Sequence, residues 1–493
     1  MESPVESARE KEPPTRPSVR DVVARDVLAR RAPVAAVVGC AVLGGVLMVM
    51  PHGRHHGPPP APGPVARAMT AVGAGAPASL PDLTALIGDR ETHLRAHPGD
   101  VRSWAVLGAA YAERGGRTGE ARYYPKAEQA LRTSLKAKPK GNPEALDGLA
   151  ALAGARHDFR AARTWGEAAV AAAPKRWTAY PPLIDAYRGL GDHKAADTAL
   201  ARLAELRSGA QVLTRAGLLY RDHGRREDSA AALFDAAALA STPAERAACL
   251  VQAGELAWER GEPAESLRAH EAALRADPAE HAALAGRGRA LAALGRTPEA
   301  LRAYRTVLVK RPSPQYALEL GELYESLGRG GAARAQYDVL RARVRAGAAG
   351  GVNDELVLGR FEADHGDAGS AVRRLRAEWA RHPSVAVADA LGWALHRSGE
   401  DEEAITFATR AMDKLHGGGV RSALYAYHRG VIERALERYG PARRHLAEAL
   451  RINPYFSPLH VPSAKEALEA LGEPGEAPAE FSEAAGVTPR PSR

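Results

Sequence analysis

Prolines recur along most of this chain at a nearly constant interval, and that interval restricts the fold more than any other feature. Neighbouring prolines lie 35 residues apart (174 − 139) or 34 residues apart (312 − 278), and wider gaps are close to two or three intervals. A fixed period of roughly 20 to 50 residues is typical of arrays that repeat one small structural unit. We therefore interpret residues 100–454 as ten tandem units, several of which end at Pro139, Pro174, Pro278, Pro312, Pro383 or Pro454.

Each unit carries the pattern of two amphipathic helices. In the first unit Trp104, Leu107, Gly108 and Tyr111 are spaced i, i+3, i+4 and i+7, which places them on one face of a helix. A second apolar helix follows and stops near Pro139. Between the two helices of most units lies a glycine that can adopt the left-handed conformation found at helix ends; these glycines are Gly191, Gly224, Gly261, Gly295, Gly328, Gly366 and Gly399.

This arrangement resembles the tetratricopeptide repeat (TPR) family, whose 34-residue helix–turn–helix carries W-x2-L-G-x2-Y in its first helix and ends with proline. The resemblance implies an all-α fold, a right-handed superhelical solenoid of about ten repeats, similar to membrane-anchored bacterial TPR proteins. Small residues such as Gly108, Gly217 and Gly288 would let neighbouring helices approach closely. The first unit departs from the family pattern by a longer turn, and the second has Gly166 at a usually aromatic position.

The solenoid is predicted to extend over residues 80–472, with a capping helix at each end. Stacked repeats share one continuous core, so the terminal repeats need covering elements. Pro81–His97 and Pro462–Leu471 have the apolar spacing expected of such caps. Residues 473–493, rich in Pro, Gly and Glu, are predicted to form a disordered tail.

Near the N-terminus, Ala32–Met50 is an uninterrupted apolar segment. Its 19 residues approach the length of about 20 that a helix needs to cross a bilayer, and we predict a transmembrane signal anchor. Residues 1–31 are predicted to be a disordered cytoplasmic tail, because they lack hydrophobic periodicity and carry the flanking positive charge. The repeats of this single-pass membrane protein would then lie outside the cytoplasm. This orientation is inferred from the excess of arginines before the apolar segment, which are Arg16, Arg20, Arg25, Arg30 and Arg31, over those that follow it closely, which are Arg54 and Arg67.

Alternatives to this anchor remain open from the sequence. Cleavage at the small-residue site Ala66-Arg67-Ala68 would release a secreted protein, and a third possibility is that the segment does not insert at all. The stretch Val37-Val38-Gly39-Cys40 resembles a lipoprotein lipobox, although ten further apolar residues follow it.

Residues 51–79 are dominated by Pro, Gly and Ala and are predicted to be a semi-extended linker between the anchor and the repeats. The linker contains three closely spaced histidines, His52, His55 and His56. They either bind a metal ion loosely or form an accidental solvated cluster, because no carboxylate or thiol completes a metal site beside them.

Composition excludes several functional classes. The chain has two cysteines, Cys40 and Cys249, and no CxxC spacing, which excludes a disulfide framework or a cysteine zinc site. The net charge of +8 arises from arginines mixed with acidic residues, not from a basic stripe with interleaved aromatics, so we predict no nucleic-acid partner. Motifs for nucleotide binding, serine hydrolysis and zinc proteolysis are absent. We predict no enzymatic activity, no cofactor and no small-molecule substrate.

The TPR resemblance also indicates where a partner would bind. In the family, motif positions 2, 5, 9 and 12 of the first helices form a concave groove. Transferring that register gives a groove of mixed charge, and its tryptophans and three of its arginines form the predicted partner-binding set: Arg221, Trp258, Arg289, Arg360 and Trp393. Tryptophan and arginine dominate binding hot spots, so we hypothesise that this set holds an extended or helical protein segment. The alternative is that either indole packs over a neighbouring repeat.

Two functions follow as expectations. The first is a membrane-tethered, extracytoplasmic TPR scaffold for protein–protein interactions, acting in the assembly or biogenesis of an envelope or secreted protein. The second is a non-catalytic subunit or regulator of an enzyme or transporter complex. A carboxylate clamp for chaperone C-termini is not expected, because no asparagine occupies position 9 in the units compared, which include Asp185, Leu218, Glu255, Arg289, Glu322, Arg360 and Trp393.

Overall fold

A computed structural model describes residues 61–414 and 419–472 of the chain. Within these ranges the regular elements are α-helices, apart from one short 3-10 turn at Trp177–Ala179, and no strand occurs there. The predicted all-α fold is therefore confirmed for the described part of the chain.

The helices have the following bounds. They are α1 (Pro64–Gly73), α2 (Leu80–Ala96), α3 (Val101–Thr118), α4 (Tyr123–Ala137), α5 (Pro143–Ala155), α6 (Phe159–Ala172), α7 (Tyr180–Gly189), α8 (His193–Leu206), α9 (Ala210–Asp222), α10 (Arg226–Leu239), α11 (Pro243–Glu259), α12 (Pro263–Ala276), α13 (His281–Ala293), α14 (Thr297–Lys310), α15 (Pro314–Ser326), α16 (Gly330–Ala349), α17 (Glu355–His365), α18 (Ala368–Arg381), α19 (Val385–Arg397), α20 (Asp401–Met412), α21 (Ala423–Ala435), α22 (Tyr439–Ile452) and α23 (His460–Ala470).

From α3 onward the helices pack as consecutive pairs, α3 with α4 through α21 with α22, and each pair also packs against the next. The second helices end just before the periodic prolines: α4 stops at Ala137, α14 at Lys310 and α22 at Ile452. The proline cannot continue the helix, because its ring clashes with the preceding turn and it has no N–H to donate. The described part of the chain is thus a solenoid of stacked helical pairs.

Glycines in the first helices allow close packing within the pairs. A Cβ atom added at Gly108 would lie 2.5 Å from Leu131, at Gly217 2.8 Å from Leu233, and at Gly288 2.9 Å from Tyr304. Each partner is a large side chain of the following helix, so any larger residue in place of the glycine would separate the pair. The expected role of these small residues is confirmed.

The predicted left-handed glycines also appear, with one exception. Gly191, Gly224, Gly261, Gly295, Gly328 and Gly399 have φ values from +70° to +86°. Gly366, in contrast, has φ −138° and ψ −142°, so the prediction is wrong at that position. Helix α17 therefore ends without a left-handed residue, and the Gly366 N–H donates to the Glu362 carbonyl oxygen instead.

The folded part of the chain begins closer to the N-terminus than predicted from the sequence. Residues 64–73, assigned to the linker 51–79, form helix α1, which packs on α2 and buries Ala68 and Ala71. Arg67 fastens α1 to α2 through two hydrogen bonds to Asp82, at 3.0 and 2.6 Å. The linker prediction is therefore wrong for these residues: alanine, which made the segment look like a linker, is also the strongest helix former.

Distant repeats touch because successive turns of the solenoid are stacked. Arg156 Nε donates to the Gly350 carbonyl oxygen at 2.9 Å across 194 residues, and Arg226 donates to the Arg421 carbonyl oxygen across 195 residues. Both separations are slightly less than six 34-residue units. One superhelical turn therefore takes just under six helical pairs, and the second turn rests directly on the first.

None of the helices within residues 61–414 and 419–472 is long and apolar enough to cross a membrane. The predicted span Ala32–Met50, the tails 1–31 and 473–493, and His52, His55 and His56 lie outside the described residues.

Candidate functional site

The first helices of six successive pairs surround a cavity of about 620 Å³ in the C-terminal half of the solenoid. These helices, α11, α13, α15, α17, α19 and α21, make up one superhelical turn, so their inner faces converge on a common axis. The charged and aromatic lining residues are Glu255, Trp258, Glu259, Arg289, Tyr304, Glu319, Glu322, Arg360, Asp364, Trp393, His428, Tyr455, Phe456 and His460.

The segment after α22 closes the ring on the first of these helices. Asn453 Nδ2 donates to the Trp258 carbonyl oxygen at 2.7 Å, a contact that spans 195 residues. Residues 453–462 then continue along the cavity wall. What would be an open groove in a short array is therefore a bounded cavity.

Four of the five predicted partner-binding residues line this cavity: Trp258, Arg289, Arg360 and Trp393. The fifth residue, Arg221, does not line the cavity. Its guanidinium forms an ion pair with Glu259, which does line the cavity. Residues spaced by whole repeats converge because each first helix presents the same face to the axis.

Arg289 is held at the centre of a partly buried charge network. Its guanidinium lies 2.7 Å from Glu255 and 3.1 Å from Glu319, and Tyr304 donates its hydroxyl to Glu319 at 2.8 Å. Burial by itself raises the pKa of Glu255, but Arg289 outweighs it and holds that pKa below its usual value. Arg289 therefore neutralises carboxylates of the cavity wall and is not free to bind a partner's carboxylate.

Arg221 is occupied in the same way by Glu259. Burial raises the pKa of the Glu259 carboxyl, and Arg221 offsets part of that rise. This partly buried ion pair satisfies both charges within the protein.

Arg360 differs from the other two arginines. It is half-buried on α17, and no hydrogen-bond or ion-pair partner for it occurs among the residues the structure describes; its Nε atom is fully buried and unsatisfied. A guanidinium offers five donors in a planar fork that matches a carboxylate. Arg360 is thus a cation of the lining available to a bound group.

The two tryptophans occupy different environments. Trp258 is half-buried and faces the Arg289 guanidinium, 5.6 Å from the ring centroid. Trp393 is only 5% exposed: it stacks on His428 at 4.3 Å and donates Nε1–H to Asp364 at 2.8 Å. The expectation of an exposed indole is therefore wrong for Trp393: its ring packs against His428 of the following repeat, and its Nε1–H donates to Asp364 of the preceding repeat.

Asp364 links α17 to the closing segment. Burial would raise the pKa of its carboxyl, but His460, 3.6 Å away, and the Trp393 Nε1–H lower that pKa to about 2. The carboxylate is thus held ionised while it orients Trp393. Asp364 lies one helical turn after Arg360, so the spacing along the helix predicts that both residues share a face. His428 and Asn453, in contrast, come from distant repeats, and no local sequence pattern identifies them as residues of the site.

Just behind the wall, His270 fills a slot between α11 and α13. Its ring is fully buried, 3.7 Å from Glu255, and neither ring nitrogen has a hydrogen-bond partner in the described structure. Burial is the main reason that its pKa falls from 6.5 to about 4. The folded protein therefore keeps this imidazole neutral in conditions that protonate an unfolded chain.

We expect His270 to make the folded state less stable in mild acid. Above pH 6.5 the imidazole is neutral in both states; as pH falls toward 4 only the unfolded chain takes up the proton, which costs up to about 3 kcal/mol of folding free energy. Urea unfolding of the wild type and of His270→Leu, measured between pH 7.5 and 4.5, should show the steeper loss for the wild type. Parallel pH profiles would contradict this expectation.

Comparison with known protein families identifies the type of repeat over part of the chain. A family described as tetratricopeptide repeat matches residues 251–313 and 287–348, which contain Trp258 and Arg289. No curated relative matches the sequence.

Many solved structures are similar to the chain, among them the following three. A thermophilic TPR protein of Thermus thermophilus is 28% identical over 35% of this chain and 91% of its own, with a TM-score of 0.31. A tetratricopeptide repeat protein of Parabacteroides merdae is 19% identical over 53% and 98%, with a TM-score of 0.31. The human IFIT1 dimer with PPP-AAAA is 16% identical over 70% and 80%, with a TM-score of 0.44.

Proposed function

Because this chain is a tetratricopeptide repeat protein, we propose that it is a membrane-tethered, extracytoplasmic scaffold whose axial cavity binds a segment of a protein partner. The TPR fold is that of a protein–protein interaction scaffold. Tethering and orientation are proposed from the apolar segment Ala32–Met50 and from the arginines that precede it.

The short connection to the folded body supports this tether. Only residues 51–63 separate the end of the apolar segment from helix α1. Fully extended, these residues span at most about 45 Å. The solenoid would therefore stay close to the membrane surface, where it meets secreted and envelope proteins as they emerge.

The cavity is the observation that carries the binding proposal. It brings Trp258 and Arg360 onto one concave surface, and both have side-chain surface that the protein leaves uncovered. Its volume lies within the range of about 300–1,000 Å³ typical of ligand pockets. That size suits a short extended segment and not a folded domain.

Partner capture tests this proposal. In cells that express the full chain, mild crosslinking and affinity purification should recover a protein whose yield falls at least about tenfold in Trp258→Ala, as expected for a tryptophan hot spot worth about 2 kcal/mol. Phe234→Ala is the matched control, because Phe234 is an aromatic residue, 73% exposed, on α10 outside the cavity. Equal capture by both variants would place the binding surface elsewhere.

The proposed orientation has its own test. A reporter that is active only in the cytoplasm, fused after Gly472, should be silent, since the arginines before Ala32 favour a cytoplasmic N-terminus. The same reporter fused before residue 32 should be active. A strong signal from the C-terminal fusion would reject the extracytoplasmic placement.

A further inference from the structure

We propose that the cavity recognises a polypeptide segment with one carboxylate group, bound at Arg360, within an otherwise net-basic stretch. This inference rests on the proposed function and specifies the chemistry of the partner. The inference is based on a comparison of the charged side chains in the lining that already have ion-pair partners with those that do not.

Arg360 supplies the anion-binding group. Of the three arginines in the predicted set, Arg221 is paired with Glu259 and Arg289 with Glu255 and Glu319. Arg360 has no such partner in the part of the chain that the structure describes, and its buried Nε atom lacks even a hydrogen bond. A half-buried guanidinium in a cavity gains most from a planar acceptor, and a carboxylate can accept from it bidentately.

The rest of the lining limits how negative the segment can be. The lining holds five carboxylates, Glu255, Glu259, Glu319, Glu322 and Asp364, and two arginines, Arg289 and Arg360. Arg221 from outside the lining compensates Glu259, so three arginines face five carboxylates. In a partly buried site, like charges at close range repel strongly. A dianionic phosphate or an acidic run would meet this repulsion, whereas one carboxylate held at Arg360 forms a single compensated pair.

The same excess of carboxylates favours basic residues elsewhere in the segment. Arg289 alone neutralises both Glu255 and Glu319, so one negative charge of that cluster is left without a matching cation. Glu322 forms an ion-pair contact with a histidine, His365, 3.8 Å away. A lysine or arginine of the partner would complement either position and would be drawn into the cavity by its overall negative charge.

A second unsatisfied group lies on α21, another helix of the lining. His428 is 5% exposed, and its Nδ1 is 2.9 Å from Asp389, which turns Nε2 away from that carboxylate. Nε2 is buried and has no hydrogen-bond partner among the described residues, although His428 lines the cavity. Buried polar atoms are normally satisfied, so Nε2 is a second polar group of the lining that lacks a partner.

A charge-swap selection tests the inference. The probe is a phage-displayed library of random 12-residue peptides, panned against the full chain in detergent and against its Arg360→Glu variant. Wild-type binders should share one Asp or Glu within a Lys- and Arg-rich sequence. Arg360→Glu should bind the selected peptide at least about tenfold more weakly, and changing the acidic residue of the peptide to lysine should restore its binding to that variant.

The outcomes separate this inference from the function on which it rests. Peptides that bind in a Trp258-dependent manner, but without a shared acidic residue or without sensitivity to Arg360→Glu, would overturn the inference and leave the scaffold proposal standing. Failure of the wild type to select any peptide, together with no crosslinked partner in cells, would overturn both. Circular dichroism of Arg360→Glu should match that of the wild type, which shows that the variant folds. Arg360→Gln removes the positive charge without reversing it. This variant should therefore no longer prefer peptides that contain an acidic residue.

Discussion

Gly286→Ala is expected to lower the free energy of unfolding by about 3 kcal/mol, the upper end of the usual cost of overpacking a core. A Cβ atom at this position would lie 2.1 to 2.6 Å from three atoms of the His270 ring. The ring cannot move away, because on its other side it fills the space above Gly254, where an added Cβ would lie 2.7 Å from it. Urea unfolding at pH 7.5 measures the loss.

Two further variants isolate the cause. Gly88→Ala is the matched control: Gly88 lies in the middle of α2 with nothing within 4 Å of an added Cβ, so alanine should be neutral or stabilise by up to about 1 kcal/mol. In a His270→Ala background the overlap no longer exists, and Gly286→Ala should then cost almost nothing. An equal loss in both backgrounds would show that His270 is not the obstacle.

Gly261→Ala is expected to be similarly damaging, because this residue is in contact with the next superhelical turn. Its φ of +76° costs an alanine about 1–2 kcal/mol. In addition, the new Cβ would lie 2.9 Å from Asn453 Cα and from the Ile452 carbonyl oxygen, which are backbone atoms that cannot rotate aside. With overpacking of at least about 1 kcal/mol, the total loss should be about 3 kcal/mol.

The comparison variant for this prediction is Gly295→Ala. Gly295 has nearly the same φ, +75°, but an added Cβ there meets nothing within 4 Å. It should therefore show the backbone cost alone. Hydrogen exchange of residues 452–462 should become faster in Gly261→Ala and stay unchanged in Gly295→Ala. Equal protection of this segment in both variants would mean that the two turns are not held together at Gly261.

Local pattern was sufficient for the repeat elements. The i, i+3, i+4 spacing of Trp104, Leu107 and Gly108 corresponds to α3, and Pro139 follows the end of α4 as predicted. These features depend on helical periodicity and on the proline ring, which act within a few residues of each other. Composition alone was a poorer guide: the alanine-rich stretch read as linker contains helix α1, since alanine is common in both.

The candidate site was predictable only in part. Repeat register identified Trp258, Arg289, Arg360 and Trp393 as residues of the concave side, and all four line one cavity. The repeat register could not show which of these side chains already contact other side chains of the protein. Arg289 is neutralised by Glu255 and Glu319, and Trp393 is covered by His428, through side chains that come from other repeats.

By itself the sequence determined the unit: two amphipathic helices, a turn glycine and a closing proline, repeated with a period near 34 residues. Only the tertiary structure decided how the units add up. The small rotation from one pair to the next accumulates until Asn453 meets Trp258, 195 residues earlier, and turns a groove into a cavity. No single residue encodes that closure, because it is the sum of many nearest-neighbour packing angles, each set by side-chain contacts between adjacent pairs.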